Sequence, residues 1–330
     1  MESGRWRWIQ QGSKAELGPL APDETVVRMM ATFDEGIYRR IAELLASRPD
    51  VRLQTEHGED LEFLQWFPGL RRFAAQSLRV QSIDGLRHVA NTLEHLALGD
   101  TLRRLSRRPV GKLGQLRRLG INGSWRDLEA ISALVRLERL GVGSVDLDLL
   151  RPLTSLRRFE GGLGTIRNLD PLPSIGELES IELYRLRGSH DLTSLGEIPR
   201  LVRLHLASTR SITSLPSLER CDSLRWLVLD TMTGITDLRP VAAAPNLEVL
   251  LLIGMRQLDA ESLRPLVGHP TLRAGIWGFG SDRRNFAAQD LLPLPPEPFG
   301  YAISRRGERV AAEPVPWTQP GWDGIGYEEA

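Results

Sequence analysis

A short leucine pattern recurs along most of this 330-residue chain and constrains its fold more than any other feature. Each copy reads Leu-x-x-apolar-x-apolar, and successive copies begin 19 to 25 residues apart. A period held over so many copies indicates one structural unit stacked on copies of itself, which is a solenoid. The first leucines, which define repeat position one, are Leu70, Leu93, Leu116, Leu137, Leu156, Leu178, Leu201, Leu224, Leu247 and Leu272.

Residues 201–223 show the unit clearly. Leu204 and Leu206 alternate with Arg203 and His205, which is typical of a strand with one buried face. Apolar residues then recur every three positions with a proline among them, and this spacing favours short 3₁₀ turns over a long helix. Stacked copies would therefore form a parallel sheet on one flank and tight turns on the other.

The copies resemble the leucine-rich repeat family, in its short bacterial, internalin-like form, over roughly residues 48–279. The resemblance implies an α/β solenoid: an arc with a parallel sheet of short strands on its concave face and 3₁₀ or irregular turns on its convex face. The sequence departs from the family at position nine, where an asparagine usually supplies hydrogen bonds to the backbone of the turn. That position holds Thr101, Ser124, Val145, Gly164, Leu186, Thr209, Met232 and Met255.

Three regions are predicted. Residues 1–47 form an N-terminal cap, with a helix over residues 36–47 and Asp34 as its N-cap. Residues 48–280 form the repeat array of about ten units. Residues 281–330 form a tail rich in proline and aromatic residues, which we expect to dock on the array.

The tail carries its own local signals. Leu291–Pro298 reads LLPLPPEP and favours an extended polyproline conformation. Tyr301–Val310 is predicted to form a small hairpin about Arg306 and Gly307. Trp317, Trp322 and Tyr327 then lie in a polar, glycine-rich context, and aromatic residues of this kind are uncommon in disordered segments that bind nothing.

Composition excludes several classes of protein. The 42 basic residues balance 42 acidic ones, which argues against dedicated nucleic-acid binding. The single cysteine, Cys221, excludes an intramolecular disulfide and is expected to be buried. Residues 1–12 contain no apolar signal core and no run of 18 apolar residues exists, so we expect a cytoplasmic protein without a membrane segment. We expect no cofactor, metal or catalytic residue.

Strand residues at positions three, five and seven should point away from the core. Position three is mostly arginine, which predicts a basic stripe that would attract an acidic protein partner. Alternatively, Glu94, Glu138, Glu160, Glu179 and Glu182 pair with the stripe and neutralise it. The stripe comprises Arg72, His95, Arg118, Arg139, Arg158 and Arg203.

Apolar residues take over these positions near the C-terminal end of the array. We expect them to form a patch outside the core, and a patch of this kind commonly marks an interface. Two occupants are open at this stage: an outside protein partner, or the chain's own tail as an intramolecular partner. The patch comprises Trp226, Val228, Val249, Leu251, Ile253 and Ile276.

Glu160, Glu182 and His205 are predicted to share one column of three adjacent strands, with Tyr184 beside them. Two carboxylates and an imidazole could hold a metal or share acid–base chemistry. The simpler interpretation is a polar spot that contacts a partner.

The leading hypothesis is a non-enzymatic module that binds a protein through the concave face, as a cognate immunity-type inhibitor or an adaptor. A nucleic-acid binder that stacks bases on Trp226, Tyr184 and His205 is the alternative.

Overall fold

The structure is a computed structural model that describes residues 5–123, 125–187 and 191–295, together with the backbone of 301–303 and 309–311. The described residues divide between Leu156 and Arg157 into an N-terminal and a C-terminal unit. Strands within each unit are parallel and pair in chain order. The N-terminal unit contains β1 (Arg5–Ile9), β2 (Glu24–Met29), β3 (Arg52–Thr55), β4 (Arg72–Ala75), β5 (His95–Leu98), β6 (Arg118–Ile121) and β7 (Arg139–Val142). The C-terminal unit contains β8 (Arg158–Gly162), β9 (Ser180–Tyr184), β10 (Arg203–Ala207), β11 (Trp226–Asp230), β12 (Val249–Ile253) and β13 (Ala274–Trp277).

The return legs between strands are short, as the three-residue spacing predicts. Helices α1 (Glu35–Ala46), α2 (Arg239–Ala242) and α3 (Asp282–Leu291) are the α-helical segments of the described residues. The other regular legs are short 3₁₀ segments: Glu62–Trp66, Asp84–Val89, Val110–Lys112, Leu128–Ala133, Leu147–Leu150, Leu172–Ser174, Thr193–Glu197 and Glu261–Leu266.

The core lies between each sheet and its return legs. In the stretch β4–β7, the register places Phe73, Leu96, Leu119 and Leu140 side by side, and all four are buried. Burying a side chain of this size contributes about 1.5–3 kcal/mol. Each repeat therefore gains its stability from its neighbours, which is why a single copy could not fold alone.

The sheet begins earlier than the leucine pattern predicts. Strands β1 and β2 pair with each other, and β2 pairs with β3, although neither carries the repeat sequence. Helix α1 follows β2, so it occupies the return leg before β3 and does not precede the sheet. Its predicted N-cap is confirmed, because the Asp34 carboxylate accepts a hydrogen bond from the Ile37 N–H at 3.0 Å.

A buried ion pair joins the first two strands. Arg7 donates from Nε and Nη2 to the Glu24 carboxylate at 2.9 and 2.6 Å, and the Ala21 N–H donates to it at 2.6 Å. Glu24 is 1% exposed. Burial acts to raise the pKa of Glu24, but the hydrogen bonds from Arg7 and Ala21 outweigh it, so this pKa lies below its ordinary value.

The turns of the C-terminal unit are satisfied without an asparagine ladder. The residue at repeat position eight has a left-handed backbone after each of five successive strands. In the first four of these turns its N–H donates to the carbonyl of the last residue in the next strand, at 2.7 to 3.3 Å. These residues are Leu163 (φ +57°), Arg185 (φ +47°), Ser208 (φ +52°), Thr231 (φ +52°) and Gly254 (φ +62°).

The last strand keeps its register despite its unusual residues. Leu250 pairs with Gly275 and Leu252 with Trp277, and the indole of Trp277 is buried. A Cβ on Gly275 would lie 2.5 Å from that indole, so glycine leaves the space that the ring fills. Cys221 is buried as expected, and burial raises the pKa of its thiol to about 11.

One core position carries a charge that the repeat pattern does not foresee. Arg107 is 0% exposed, and none of its three guanidinium nitrogens has a hydrogen-bond partner among the residues that the structure describes. Burial lowers the pKa of Arg107 to about 10. The group stays charged at neutral pH, so the fold bears the cost of its desolvation.

The chain after α3 returns to the edge of β13. The Gly275 N–H donates to the Pro295 carbonyl at 2.9 Å, and Trp277 Nε1 donates to the Leu292 carbonyl at 3.3 Å. The predicted hairpin is confirmed in its backbone by antiparallel β14 (Tyr301–Ile303) and β15 (Arg309–Ala311). Residues 304–308, with the predicted turn, and the tail aromatics Trp317, Trp322 and Tyr327 lie outside the described residues. No helix within the described ranges is both long and apolar enough to cross a bilayer.

Candidate functional site

Register aligns the predicted basic residues of the N-terminal unit. Arg72 pairs with His95, His95 with Arg118, and Arg118 with Arg139. Because parallel strands lie about 4.8 Å apart, these side chains form one continuous column. We call the surface at positions three, five and seven the odd-position face. His95, Arg72 and Arg118 are half-buried there, whereas Arg139 is only 6% exposed.

Small residues line the next column of the same face. Ala74 pairs with Ala97, Ala97 with Gly120, and Gly120 with Gly141. These side chains stand no higher than a methyl group above the sheet. The arginine column is therefore bordered by residues that add little height to the sheet, and of these Ala74 is only 1% exposed.

The C-terminal unit continues the position-three pattern with an aromatic residue in place of the last arginine. Arg158 pairs with Ser180, Ser180 with Arg203, and Arg203 with Trp226. The Arg203 guanidinium carbon lies 4.8 Å from the centre of the Trp226 ring, which is a cation–π distance. A basic and an aromatic side chain are in contact at this point.

An aromatic group at the start of the chain escaped the sequence analysis. Arg28 Cζ lies 4.7 Å from the ring centres of both Trp6 and Trp8, and Trp8 is 44% exposed. The pairing of Trp8 with Arg28, and of Arg28 with Gln54, places this group on the odd-position face. The alternation in RWRWI was the available signal, but the leucine repeat does not include it.

Three of the five glutamates expected to neutralise the stripe pair with other arginines. Position two alternates in sign from Arg71 to Glu179 and again from Arg225 to Arg273, with the uncharged Val202 between the two runs. Its charged members pair with one another at the edge of the odd-position face. Glu94 pairs with Arg71 at 3.5 Å, Glu138 with Arg117, and Glu179 with Arg157 at 3.0 Å. Arg273 likewise pairs with Glu248 at 2.7 Å. Glu94, Glu138 and Glu179 therefore form ion pairs with position-two arginines and not with the arginines of the stripe.

The polar column predicted on β8, β9 and β10 is aligned as expected. Glu160 pairs with Glu182 in register and Glu182 with His205, and His205 Nδ1 lies 3.4 Å from a Glu182 oxygen. Tyr184 lies at position seven of β9, with its ring over Gly162. Within the described residues, no three acidic, histidine or cysteine side chains are grouped to hold a metal ion. This geometry suits hydrogen bonding to a ligand.

The apolar patch differs from the expectation of an exposed surface. Val228, Val249 and Leu251 are 8%, 1% and 1% exposed, so these three side chains are covered in the folded chain. With Ala274 they form a small buried cluster on the odd-position face, against which Trp226 and Ile276 pack. Ile253, at position seven of the same strand, is 37% exposed as predicted. The side chains point as the alternation predicts, but they are covered.

Comparison with solved structures shows the fold of the chain. An internalin (inlF) from Listeria monocytogenes is similar over 76% of this chain and 78% of its own, with 18% identity and a TM-score of 0.51. An internalin C2 (inlC2) from the same species matches 66% of this chain and 83% of its own, at 19% identity and a TM-score of 0.42. The Toll–Spatzle complex of Drosophila matches 77% of this chain and 42% of its own, at 15% identity and a TM-score of 0.46.

No protein-family model matches the chain, and no curated protein matches it. The likeness to the internalin (inlF) and the stacked parallel strands with 3₁₀ return legs show that the chain has the leucine-rich repeat fold. The resemblance inferred from the leucine pattern is thereby confirmed at the level of fold.

Proposed function

We propose that this chain is a non-enzymatic binding module that holds a protein partner on its odd-position face, and that the partner presents carboxylates. The observation that carries the proposal is the in-register column of Arg72, His95 and Arg118; Arg139, the next member, is only 6% exposed and is left out of the proposed contact. A guanidinium group binds carboxylates through two parallel hydrogen bonds, so aligned arginines suit an acidic partner. Repeat folds commonly use such extended faces for binding.

Two further observations support this assignment. The neighbouring position-two residues pair among themselves, which places Glu94, Glu138 and Glu179 in ion pairs with Arg71, Arg117 and Arg157. Aromatic side chains also lie on the face, at Trp226 in the C-terminal unit and at Trp6 and Trp8 in the N-terminal unit. Tryptophan and arginine are the residues that most often dominate binding energy at protein interfaces.

The finer form of the proposal is a cytoplasmic cognate inhibitor of the immunity type, or an adaptor. These two roles differ in the fate of the partner. An inhibitor would form a stoichiometric complex in which the partner's activity is lost, whereas an adaptor would leave that activity intact. Assay of the purified partner with and without this chain separates them.

The test compares two double variants with the same change in charge. Arg118→Glu with Arg158→Glu reverses one charge on the odd-position face of each unit. Arg103→Glu with Arg167→Glu does the same at exposed positions in the return legs. The partner is captured from a lysate of the source organism, identified by mass spectrometry, purified, and titrated by calorimetry against each variant.

We expect the face variant to lose at least about tenfold in affinity, which corresponds to 1.4 kcal/mol. The return-leg control should bind the partner as tightly as the wild type does. Both double variants should have melting temperatures within about 2 °C of the wild type, because surface substitutions change stability little. Unchanged affinity of the face variant would refute the proposal. Retention of nucleic acid in place of a protein, with steep salt dependence, would favour the alternative class.

A further inference from the structure

The buried cluster on the odd-position face needs a cover. Val249, Leu251 and Ala274 are each no more than 2% exposed, although they lie on the side of the sheet opposite the repeat core. Trp226 and Ile276 flank the cluster within the same face. Flanking residues on one sheet shield side chains laterally, whereas almost complete burial requires a second layer above them.

The chain itself passes beside the cluster. Pro295 accepts a hydrogen bond from the N–H of Gly275 in β13, the strand that contributes Ala274. Tyr301, the first residue of β14, follows six residues later, so the hairpin lies within about 20 Å of Pro295. Because neighbouring strands are about 4.8 Å apart, every residue of the cluster also lies within that distance of Pro295. The β14–β15 hairpin is therefore tethered next to this buried cluster.

The hairpin also needs a surface. Each of its strands has three residues, and an isolated two-stranded hairpin is at best marginally stable in water. Its sequence supplies Tyr301, Ile303 and Val310 as apolar residues. An apolar cluster that is almost fully buried and a short hairpin with apolar residues tethered beside it are complementary.

Charge points the same way for the residues beyond the hairpin. The segment 312–330 contains four acidic residues and neither lysine nor arginine, giving it a formal charge of −4. When extended, its 19 residues reach about 60 Å, enough to cross every strand of the C-terminal unit. Arg158 and Arg203 on that face would meet its carboxylates. The acidic residues are Glu313, Asp323, Glu328 and Glu329.

We infer that the C-terminal segment of this chain, formed by the β14–β15 hairpin and residues 312–330, is an intramolecular ligand of the C-terminal unit. The hairpin covers the cluster around Val249, and the acidic segment lies along the column of Arg158 and Arg203. This cover requires no outside partner and so goes beyond the proposed function. An outside partner that uses the same face must displace the segment, which lowers its apparent affinity.

Thiol labelling of the full chain tests the cover directly. Leu251→Cys introduces a thiol at a residue that is 1% exposed, and Ile253→Cys introduces one at 37% exposure on the same strand as a matched control. Native Cys221 is buried with a raised pKa and so reacts slowly. We expect labelling of Leu251→Cys to be at least about tenfold slower than that of Ile253→Cys.

Removal of the segment from the folded protein gives the decisive comparison. A specific protease site inserted between residues 296 and 300 allows cleavage after folding, followed by gel filtration in 1 M salt to separate the released segment. We expect Leu251→Cys then to label as fast as Ile253→Cys, and a synthetic peptide of residues 301–330 to restore protection. Protection that persists after removal would overturn the inference, as would rapid labelling in the intact chain.

Two further arms define the occupant. Protection in the intact chain that disappears on dilution would assign the cover to a second copy of the chain and refute the inference. Replacing the four acidic residues of 312–330 by lysine should accelerate labelling of Leu251→Cys in low salt, because attraction becomes repulsion at Arg158 and Arg203. An unchanged labelling rate would contradict the placement of the acidic segment along Arg158 and Arg203. Since labelling involves no outside protein, its failure is independent of the proposed function.

Discussion

Arg107→Met is expected to stabilise the fold, because it removes a charge that the core holds without a hydrogen-bond partner among the described residues. The pKa of this guanidinium lies at about 10, whereas the ordinary arginine value exceeds 12. At 1.36 kcal/mol per pKa unit, the buried charge costs about 3 kcal/mol. At pH 7 the group is charged in both the folded and unfolded states, so the whole cost applies. Methionine keeps a flexible unbranched stem in the same space.

Urea unfolding at pH 7, followed by circular dichroism, measures the effect. We expect the free energy of unfolding to rise by about 2–3 kcal/mol, within the range seen when buried charges are replaced by apolar residues. Arg108→Met is the matched control, because the Arg108 side chain is 75% exposed. Its effect should stay within about 0.5 kcal/mol.

A second substitution at the same position tests the physical cause. In Arg107→Lys, burial lowers the pKa of the ammonium group, so the folded state binds fewer protons than the unfolded state as the pH rises. Its stability should therefore increase between pH 7 and 10 relative to Arg107→Met. A methionine variant that is less stable than the wild type by more than about 1 kcal/mol would refute the reasoning, since it would show that the guanidinium is satisfied where it lies.

Other substitutions test the fold and the face. Glu24→Gln should cost about 3 kcal/mol by breaking the buried pair with Arg7. The pKa of Glu24 is lower in the folded than in the unfolded state. The loss of unfolding free energy, measured by urea titration at several pH values, should therefore be complete above pH 5 and should vanish as the pH falls through the pKa of Glu24 in the folded state. Thr231→Asn should raise stability by about 1 kcal/mol in thermal unfolding, since asparagine tolerates the left-handed backbone at φ +52°; an unchanged midpoint would contradict this. Glu182→Ala with His205→Ala should weaken partner binding about tenfold through lost hydrogen bonds, and Zn²⁺ should not shift the melting temperature of the wild type.

The strands from β4 to β13 could be predicted because two periods coincide in the sequence. Alternation within each copy identifies the buried face, and the recurrence of the copies fixes which residues lie side by side. Arg72, His95, Arg118 and Arg139 were predicted as neighbours for this reason, and the register confirms it. Strands β1 and β2 lack the leucine pattern, so the repeat period does not include them, and only the alternation in RWRWI indicated β1.

The pairing of the glutamates was also present in the repeat, although the sequence analysis assigned it differently. The sequence suggested that Glu94 and Glu138 neutralise the arginine stripe, but the ion pairs run along position two, to Arg71 and Arg117. All four residues directly follow the first leucine of their repeat, so the period that aligns the stripe also aligns these charges. Same-column neighbours on adjacent strands are about 4.8 Å apart, which favours pairing within the column.

The sequence by itself determined the repeat, the alternation of the strands and the identity of the residues on each face, because these depend only on spacing along the chain. Tertiary structure decided which of those residues contact solvent. Val249 and Ile253 lie on the same face of one strand, yet one is 1% and the other 37% exposed. Burial is set by whatever packs above a side chain, and that neighbour is distant in sequence.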